Sequence, residues 1–204
     1  MRVLHLLPFS TFGLLAMSAP APDTSTDLPR TANTVMIKNS CDYDLNLAKV
    51  PGGSQVTPAV EKLPAHGSWS VDFVADTPGG SGFDTSVKIA LGDQKPEGNL
   101  SITQFEYNYI TATNQVWYDI SLVDCTRNVS KDEGGGTHCP GWESGLRVQS
   151  GKACVAYECA AQEFCPKQVY WFNNYDGKTG APNTACDVKE GVTFELCTEK
   201  SSGT

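Results

Sequence analysis

The sequence lacks the features of several common protein classes. After residue 17 no run approaches the about 20 apolar residues that a membrane-spanning helix needs, so we expect no membrane span. The cysteines form no Cys-x-x-Cys pair, and His66 and His138 are the histidines that follow residue 18, which argues against zinc. Neither common phosphate-loop motif occurs, so the glycine clusters are interpreted as turns. The sequence therefore predicts no metal ion and no cofactor.

Positive charge is also scarce. Arg2 is the one basic residue before position 19, which leaves 14 of the 15 Lys and Arg residues against 23 Asp and Glu residues, a formal net charge of −9. Nucleic acids and anionic lipids are polyanions whose binding depends on the neutralisation of phosphate charge. The composition therefore argues against both as partners and favours a neutral or basic partner.

The first 18 residues have the pattern of a secretory signal peptide. A positively charged start precedes an apolar stretch from Val3 to Met17, and residues 16–18 form a small-x-small cleavage site. We predict a secreted, soluble protein that lies outside the cell or at the cell wall. Residues 19–33 are rich in Pro, Ser, Thr and Asp, and are predicted to form a flexible leader.

The eight cysteines all lie beyond this segment. An even number of cysteines in an oxidising compartment predicts four disulfide bonds, with the connectivity left open. Asn99 and Asn128 begin Asn-x-Ser sequons and are predicted glycosylation sites. The cysteines are Cys41, Cys125, Cys139, Cys154, Cys159, Cys165, Cys186 and Cys197.

Frequent turn signals separate short segments that are rich in β-branched and aromatic residues. Glycine clusters occur at residues 51–55, 77–82 and 133–136, and no long stretch has helical periodicity. We predict one all-β domain over residues 34–197, a sandwich or barrel with a cystine-rich region, followed by a tail over residues 198–204.

Two neighbouring segments predict a β-hairpin and its register. When they are joined through residues 111–114, Tyr107 lies opposite Tyr118 and Phe105 lies opposite Ile120. The apolar faces of the two strands then coincide, which is what specifies a register.

The same register places Glu106 opposite Asp119. Two ionised carboxylates about 5 Å apart repel, so we expect one of them to have a raised pKa unless a cation intervenes. Such a pair is unfavourable for folding and is therefore a candidate site. The alternative is that these acids lie on a solvated face and have no role. Other candidates on this face or at the strand end are Gln104, Asn108, Trp117 and Asp124.

Several segments resemble thaumatin-like proteins. Residues 34–54 are similar to the opening strands of that family, and residues 102–125 to its signature hairpin, here with the motif Tyr-Asp-Ile-Ser-Leu-Val-Asp. With eight cysteines and a short leader, the chain looks like the short forms secreted by filamentous fungi. The resemblance implies a β-sandwich with disulfide-tied loops, and a bridge between Cys41 and Cys197.

The resemblance also implies an acidic cleft that receives β-1,3-glucan. The family builds this cleft from an arginine, a glutamate and three aspartates. Asp119 and Asp124 match two of the aspartates, while the glutamate position falls on Gln104, with Glu106 two residues further on. No arginine occupies the matching strand, where Lys88 is the nearest cation.

We therefore predict a secreted monomer that binds cell-wall polysaccharide of the β-1,3-glucan type without cleaving it. Carboxylate and amide groups hydrogen-bond to sugar hydroxyls, and aromatic side chains stack on pyranose rings. No catalytic residue is assigned. The predicted carbohydrate-binding residues are Gln104, Glu106, Trp117, Asp119 and Asp124.

Two alternatives stay open. An endo-β-1,3-glucanase would use Glu106 and Asp119 as its two carboxyl groups, but a cross-strand pair in a shallow groove often lacks the burial that tunes an acid. A secreted antigen or effector would instead act on a host or microbial surface through a loop patch, because a shared fold does not decide function.

Overall fold

The computed structural model describes residues 27–52, 57–75, 85–96, 101–127, 129–172 and 182–199. Several predicted features lie outside these residues. They are the signal peptide over residues 1–18, residues 19–26 of the leader, the glycosylation sites Asn99 and Asn128, and residues 200–204 of the tail.

Eleven strands are formed by the described residues. Most are short and rich in β-branched and aromatic side chains, as the sequence predicts. They are β1 (Thr34–Asn39), β2 (Leu45–Pro51), β3 (Val60–Leu63), β4 (Ser68–Asp72), β5 (Thr85–Leu91), β6 (Thr103–Ile110), β7 (Gln115–Ser121), β8 (Leu146–Gln149), β9 (Tyr157–Cys159), β10 (Thr184–Asp187) and β11 (Val192–Leu196).

The strands form two sheets. The five-stranded sheet has the order β4-β1-β11-β8-β9, and the six-stranded sheet has the order β10-β7-β6-β5-β2-β3. Strands β1 and β11 pair in parallel, and the other neighbouring pairs are antiparallel.

Helical structure in the described part of the chain is limited to single turns. None of these turns is long and apolar enough to cross a membrane. They are α1 (Val123–Thr126) and the 3-10 helices Lys131–Glu133, Gly135–His138, Trp142–Ser144 and Val188–Glu190.

The hydrophobic core lies between the two sheets. Because strand side chains alternate in direction, Val35 and Ile37 of β1 both point inward and are fully buried. The rings of Phe105 in β6 and Phe194 in β11 stack with centroids 5.9 Å apart, so they join the six-stranded sheet to the five-stranded sheet. Full burial of a phenylalanine side chain stabilises the fold by about 1.5 to 3 kcal/mol.

The hairpin of β6 and β7 has the predicted register. Phe105 pairs with Ile120 and Tyr107 pairs with Tyr118, and residues 111–114 form the connecting turn. All four side chains are at most 2% exposed. A slip of one residue would turn them towards solvent, which is why the hydrophobic pattern was sufficient to predict the pairing.

Four disulfide bonds tie the sandwich to its loops. Cys41 is bridged to Cys197, as the resemblance implied, and this bond joins the chain just after β1 to the end of its neighbour β11. The fold class, an all-β thaumatin-like sandwich with disulfide-tied loops, is confirmed. The three pairings that the sequence left open are Cys125–Cys139, Cys154–Cys186 and Cys159–Cys165.

The described part of the predicted leader is packed against the five-stranded sheet. Leu28 is buried, and its backbone N–H donates to Gln149 Oε1 at 3.2 Å. The hydroxyl of Thr193 donates to the backbone carbonyl of Pro29. Polar side chains on the outward face of β8 and β11 therefore supply hydrogen-bond partners for residues 28 and 29 of the predicted leader.

Candidate functional site

The outward face of the six-stranded sheet carries most of the residues that the sequence nominated for carbohydrate binding. Cross-strand pairing places Glu106 opposite Asp119 and Asn108 opposite Trp117, while Ser86 of β5 lies beside Glu106. The predicted facing pair of carboxylates is therefore present. Alternate residues of a strand share a face. The pair Glu106 and Asp119 and the pair Asn108 and Trp117 therefore both point away from the core.

A cavity of about 320 Å³ opens on this face. Trp117 forms part of its wall and is 41% exposed, although its neighbour Tyr118 is buried in the core. A volume of this size is at the lower end of the range of small-molecule sites. We call it the Trp117 cavity, and it is lined by Tyr107, Asn108, Ile110, Trp117, Asp119 and Asn183.

The walls of the Trp117 cavity combine an aromatic ring with hydrogen-bonding groups. The Asp119 carboxylate accepts hydrogen bonds, and the side-chain amides of Asn108 and Asn183 both donate and accept them. Within the described part of the chain, the buried Asn108 Oδ1 accepts no hydrogen bond. Buried acceptors are usually paired, so this oxygen leaves the cavity with unused hydrogen-bonding capacity.

Two tyrosines interact with polar residues of this cavity. Asn183 donates from Nδ2 to the hydroxyl of Tyr170 at 2.8 Å, which holds the amide in one orientation. Burial, and next the negative charge of Asp119, raise the pKa of Tyr157. The Tyr157 hydroxyl is therefore neutral at neutral pH and can donate a hydrogen bond.

Two of the five nominated residues, Trp117 and Asp119, line the cavity, and three do not. Gln104 is buried and accepts a hydrogen bond from the Ser86 hydroxyl at 3.0 Å. Glu106 faces its partner across the strand pair without lining the cavity. Asp124 lies in the first turn of α1, beyond the end of β7. Of the acidic residues that the family resemblance implied, the Trp117 cavity is lined by Asp119.

A second cavity, of about 710 Å³, was not predicted. It joins the start of β2, the turn after β5 and the loop around Pro140. Tyr43 and Glu143, which both line this cavity, are 100 residues apart in the sequence, and no motif links the segments. Sequence reasoning had no signal for this cavity, because only the tertiary fold brings its walls together.

Tyr43 and Glu143 form one wall of this second cavity. The Tyr43 hydroxyl donates to the Glu143 carboxylate and accepts the backbone N–H of Gly141 at 3.1 Å. Burial, and next the hydrogen bond to Glu143, raise the pKa of Tyr43. The tyrosine therefore stays neutral. Its hydroxyl links the segment before β2 to the loop that contains Gly141 and Glu143.

The outward face of the five-stranded sheet contains a third concave region, a groove of about 920 Å³. Its floor includes Lys38, Glu195 and Arg147, which come from three neighbouring strands. Sequence reasoning missed it as well, because the order of these strands in the sheet cannot be read from their order in the chain. We call it the ladder groove.

One family model matches most of the chain. Its description is Bys1, Blastomyces yeast-phase-specific protein, and the match covers residues 24–198. No curated protein matches the chain.

The solved structures that are similar to this one include the following two. The protein elicitor MoHrip2 from Magnaporthe oryzae has a TM-score of 0.58 at 16% identity, and the match covers 82% of this chain and 100% of that chain. The thaumatin-like xylanase inhibitor TLXI has a TM-score of 0.47 at 10% identity, covering 80% and 98%. At this level of identity, the likeness to MoHrip2 shows a shared fold.

Proposed function

Because the chain belongs to the Bys1 family of Blastomyces yeast-phase-specific proteins, we propose that it is a secreted fungal protein whose Trp117 cavity binds cell-wall polysaccharide of the β-1,3-glucan type without cleaving it. A fungal family makes a wall polysaccharide an available ligand. The observation that carries the proposal is the exposed ring of Trp117 beside the carboxylate of Asp119 in one concave site.

The chemistry of the cavity suits a neutral sugar. An exposed tryptophan offers a flat apolar surface on which a pyranose ring can stack. The carboxylate of Asp119 and the amides of Asn108 and Asn183 lie around that surface and match the donors and acceptors of sugar hydroxyls. No lysine or arginine lines the cavity among the described residues, so an anionic ligand finds no countercharge there.

Secretion is part of the same proposal. Four disulfide bonds are typical of proteins that fold in an oxidising compartment. The apolar stretch at the start of the sequence has the pattern of a signal peptide. A secreted protein of this kind meets wall polysaccharide directly.

A binding role is favoured over glycoside hydrolysis. Hydrolysis requires two carboxyl groups that flank one glycosidic bond. Of the facing pair Glu106 and Asp119, Asp119 alone lines the Trp117 cavity. A sugar bound against Trp117 therefore meets one carboxylate, which can hold a hydroxyl group but cannot complete the acid and base pair.

Retention on insoluble β-1,3-glucan tests the proposal. We expect the protein to be retained and Trp117→Ala to lose at least tenfold in affinity, because the stacking surface is removed. Phe164→Ala is the matched control, since Phe164 is an aromatic residue outside the cavity that is 40% exposed, close to the exposure of Trp117. Failure of the wild-type protein to bind, or equal losses in both variants, would overturn the proposal. Release of reducing sugar would establish the glucanase instead.

The second candidate is an interaction protein that acts on a host or microbial surface. It is favoured by the shared fold with MoHrip2, which is described as a protein elicitor. The retention experiment separates the two candidates. A protein that binds no glucan but still elicits a response when applied to host tissue would support the interaction role.

A further inference from the structure

The floor of the ladder groove is a row of alternating charges. The strand pairings place Lys38 beside Glu195, Glu195 beside Arg147, and Arg147 beside Glu158. Lys38 Nζ lies 2.6 Å from Glu195 Oε1. Neighbouring strands are about 4.8 Å apart, so the row is about 14 Å long, which corresponds to about four residues of an extended chain.

Negative charge predominates around this row. Two permanently charged cations that line the groove, Lys38 and Arg147, face a larger number of carboxylates. Two of these carboxylates are ion-paired at the edge of the groove, Asp42 with His66 at 3.1 Å and Asp27 with Lys152 at 3.2 Å. A concave surface with one dominant sign of charge concentrates ligands of the opposite sign. The carboxylates that line the groove are those of Asp27, Asp42, Glu143, Glu158, Glu195 and Glu199.

The same face already holds a peptide segment. Gln149 and Thr193 lie two residues along β8 and β11 from Arg147 and Glu195, and therefore on the same outward face. The side chain of Gln149 accepts the backbone N–H of Leu28, and the hydroxyl of Thr193 donates to the backbone carbonyl of Pro29. Polar side chains on this face thus bond to main-chain groups of the chain's own residues 28–29, next to the charged row that lines the groove.

We propose that the ladder groove binds an extended segment of a partner protein that carries Lys or Arg at alternating positions. Alternate side chains of an extended chain point to the same side, so two cations can reach carboxylates on the groove wall together. Glu158 and Glu199 are both exposed. The Glu199 carboxylate accepts the backbone N–H of Ala161 at 3.0 Å, three residues after Glu158 in the chain. The groove lies on the opposite sheet from the Trp117 cavity, and the proposal does not depend on sugar binding.

Fluorescence anisotropy with short labelled peptides tests the proposal. The probe is an eight-residue Gly-Lys repeat, and a Gly-Ser repeat of the same length is the uncharged reference. We expect the lysine peptide to bind at least tenfold more tightly at low salt, with the difference reduced as ionic strength rises. Spermine should compete poorly, because it carries charge but no peptide groups. Equal binding of both peptides, or competition by spermine at the same concentration as the unlabelled peptide, would overturn the proposal.

Matched variants locate the binding site. Glu158→Gln combined with Glu199→Gln removes two charges from the groove and should weaken the lysine peptide at least fivefold. Asp132→Asn combined with Glu190→Gln removes the same charge from residues outside the groove and should change binding less than twofold. If both pairs weaken binding equally, the attraction is a property of the whole acidic protein and the groove is not the site. If the double variant in the groove does not fold, the single variant Glu158→Gln is compared with the single control variant Glu190→Gln instead.

Discussion

The two sheets carry opposite charge patterns on their outward faces. On the six-stranded sheet, Glu106 lies directly opposite Asp119, a pair of like charges. On the five-stranded sheet, Glu195 lies between Lys38 and Arg147, which are opposite in sign. Cross-strand pairs of opposite charge stabilise a sheet and like pairs destabilise it. Stability therefore favours the second pattern, whereas the pair of like charges in the first is a candidate for the function proposed above.

The largest expected effect comes from the bridge at the edge of the ladder groove. Replacing both Cys41 and Cys197 by alanine should lower the free energy of unfolding by about 5 kcal/mol on the chain-entropy account, because the residues are 156 positions apart. Urea denaturation measures the loss. Cys159→Ala with Cys165→Ala is the control, since a separation of 6 residues predicts a loss of about 2 kcal/mol. Equal losses would contradict this account.

The next effect concerns the centre of the row of alternating charges in the ladder groove. Glu195 is 8% exposed and bonds both to Lys38 and to the Ser40 hydroxyl, at 2.6 and 2.5 Å. Glu195→Gln should destabilise the protein by about 2 kcal/mol, because hydrogen bonds to a charged group are lost in a buried position. Thermal or urea unfolding measures the change. Glu158→Gln, at the exposed end of the row, should change stability by no more than about 0.5 kcal/mol.

A change in stability of the opposite sign is expected on the six-stranded sheet. Glu106→Gln removes one of two facing carboxylates and should stabilise the protein by about 0.5 kcal/mol, because the repulsion from Asp119 disappears. Asp132→Asn controls for the general effect of a lower negative charge. A loss of stability in the Glu106 variant would show that the favourable contacts of this acid outweigh its repulsion from Asp119, and the contrast between the sheets would no longer stand.

The smallest effect is a pH dependence that both sheets share. Hydrogen bonds from Lys152 and Lys62 lower the pKa of Asp27 and Asp44, respectively, below the ordinary value of 3.8. A lowered pKa contributes stability that is complete above that ordinary value and is lost as the pH falls below it. Asp27→Asn and Asp44→Asn should each reduce the stability lost between pH 6 and pH 3. Urea midpoints at the two pH values measure this, and an unchanged difference would contradict the assignment.

The predictable part of the candidate site is the part that lies on one hairpin. Strict alternation of apolar and polar residues, with a turn of four residues, was enough to place Glu106 opposite Asp119 and Trp117 on the outward face. A local register needs no knowledge of the remaining chain, because burial of one face specifies it. The family resemblance correctly added the bridge between Cys41 and Cys197.

The prediction was weaker wherever the site depends on other elements. Asn183 reaches the Trp117 cavity because β10 pairs with β7, a pairing between segments more than 60 residues apart. Asp124 was expected at the same site, but it lies in α1, beyond the end of β7, and is not among the residues that line the cavity. Neither outcome has a signal in the local hydrophobic pattern.

The amino-acid sequence by itself determined the all-β class, the disulfide-forming cysteines and the pairing of β6 with β7, because periodicity and burial act over a few neighbouring residues. The tertiary structure alone decided which strands lie side by side in the five-stranded sheet. It thereby assembled Lys38, Glu195, Arg147 and Glu158 into one row. Strand order depends on how the whole chain buries its apolar faces, and so concave sites built across several strands appear only once the two sheets have packed together.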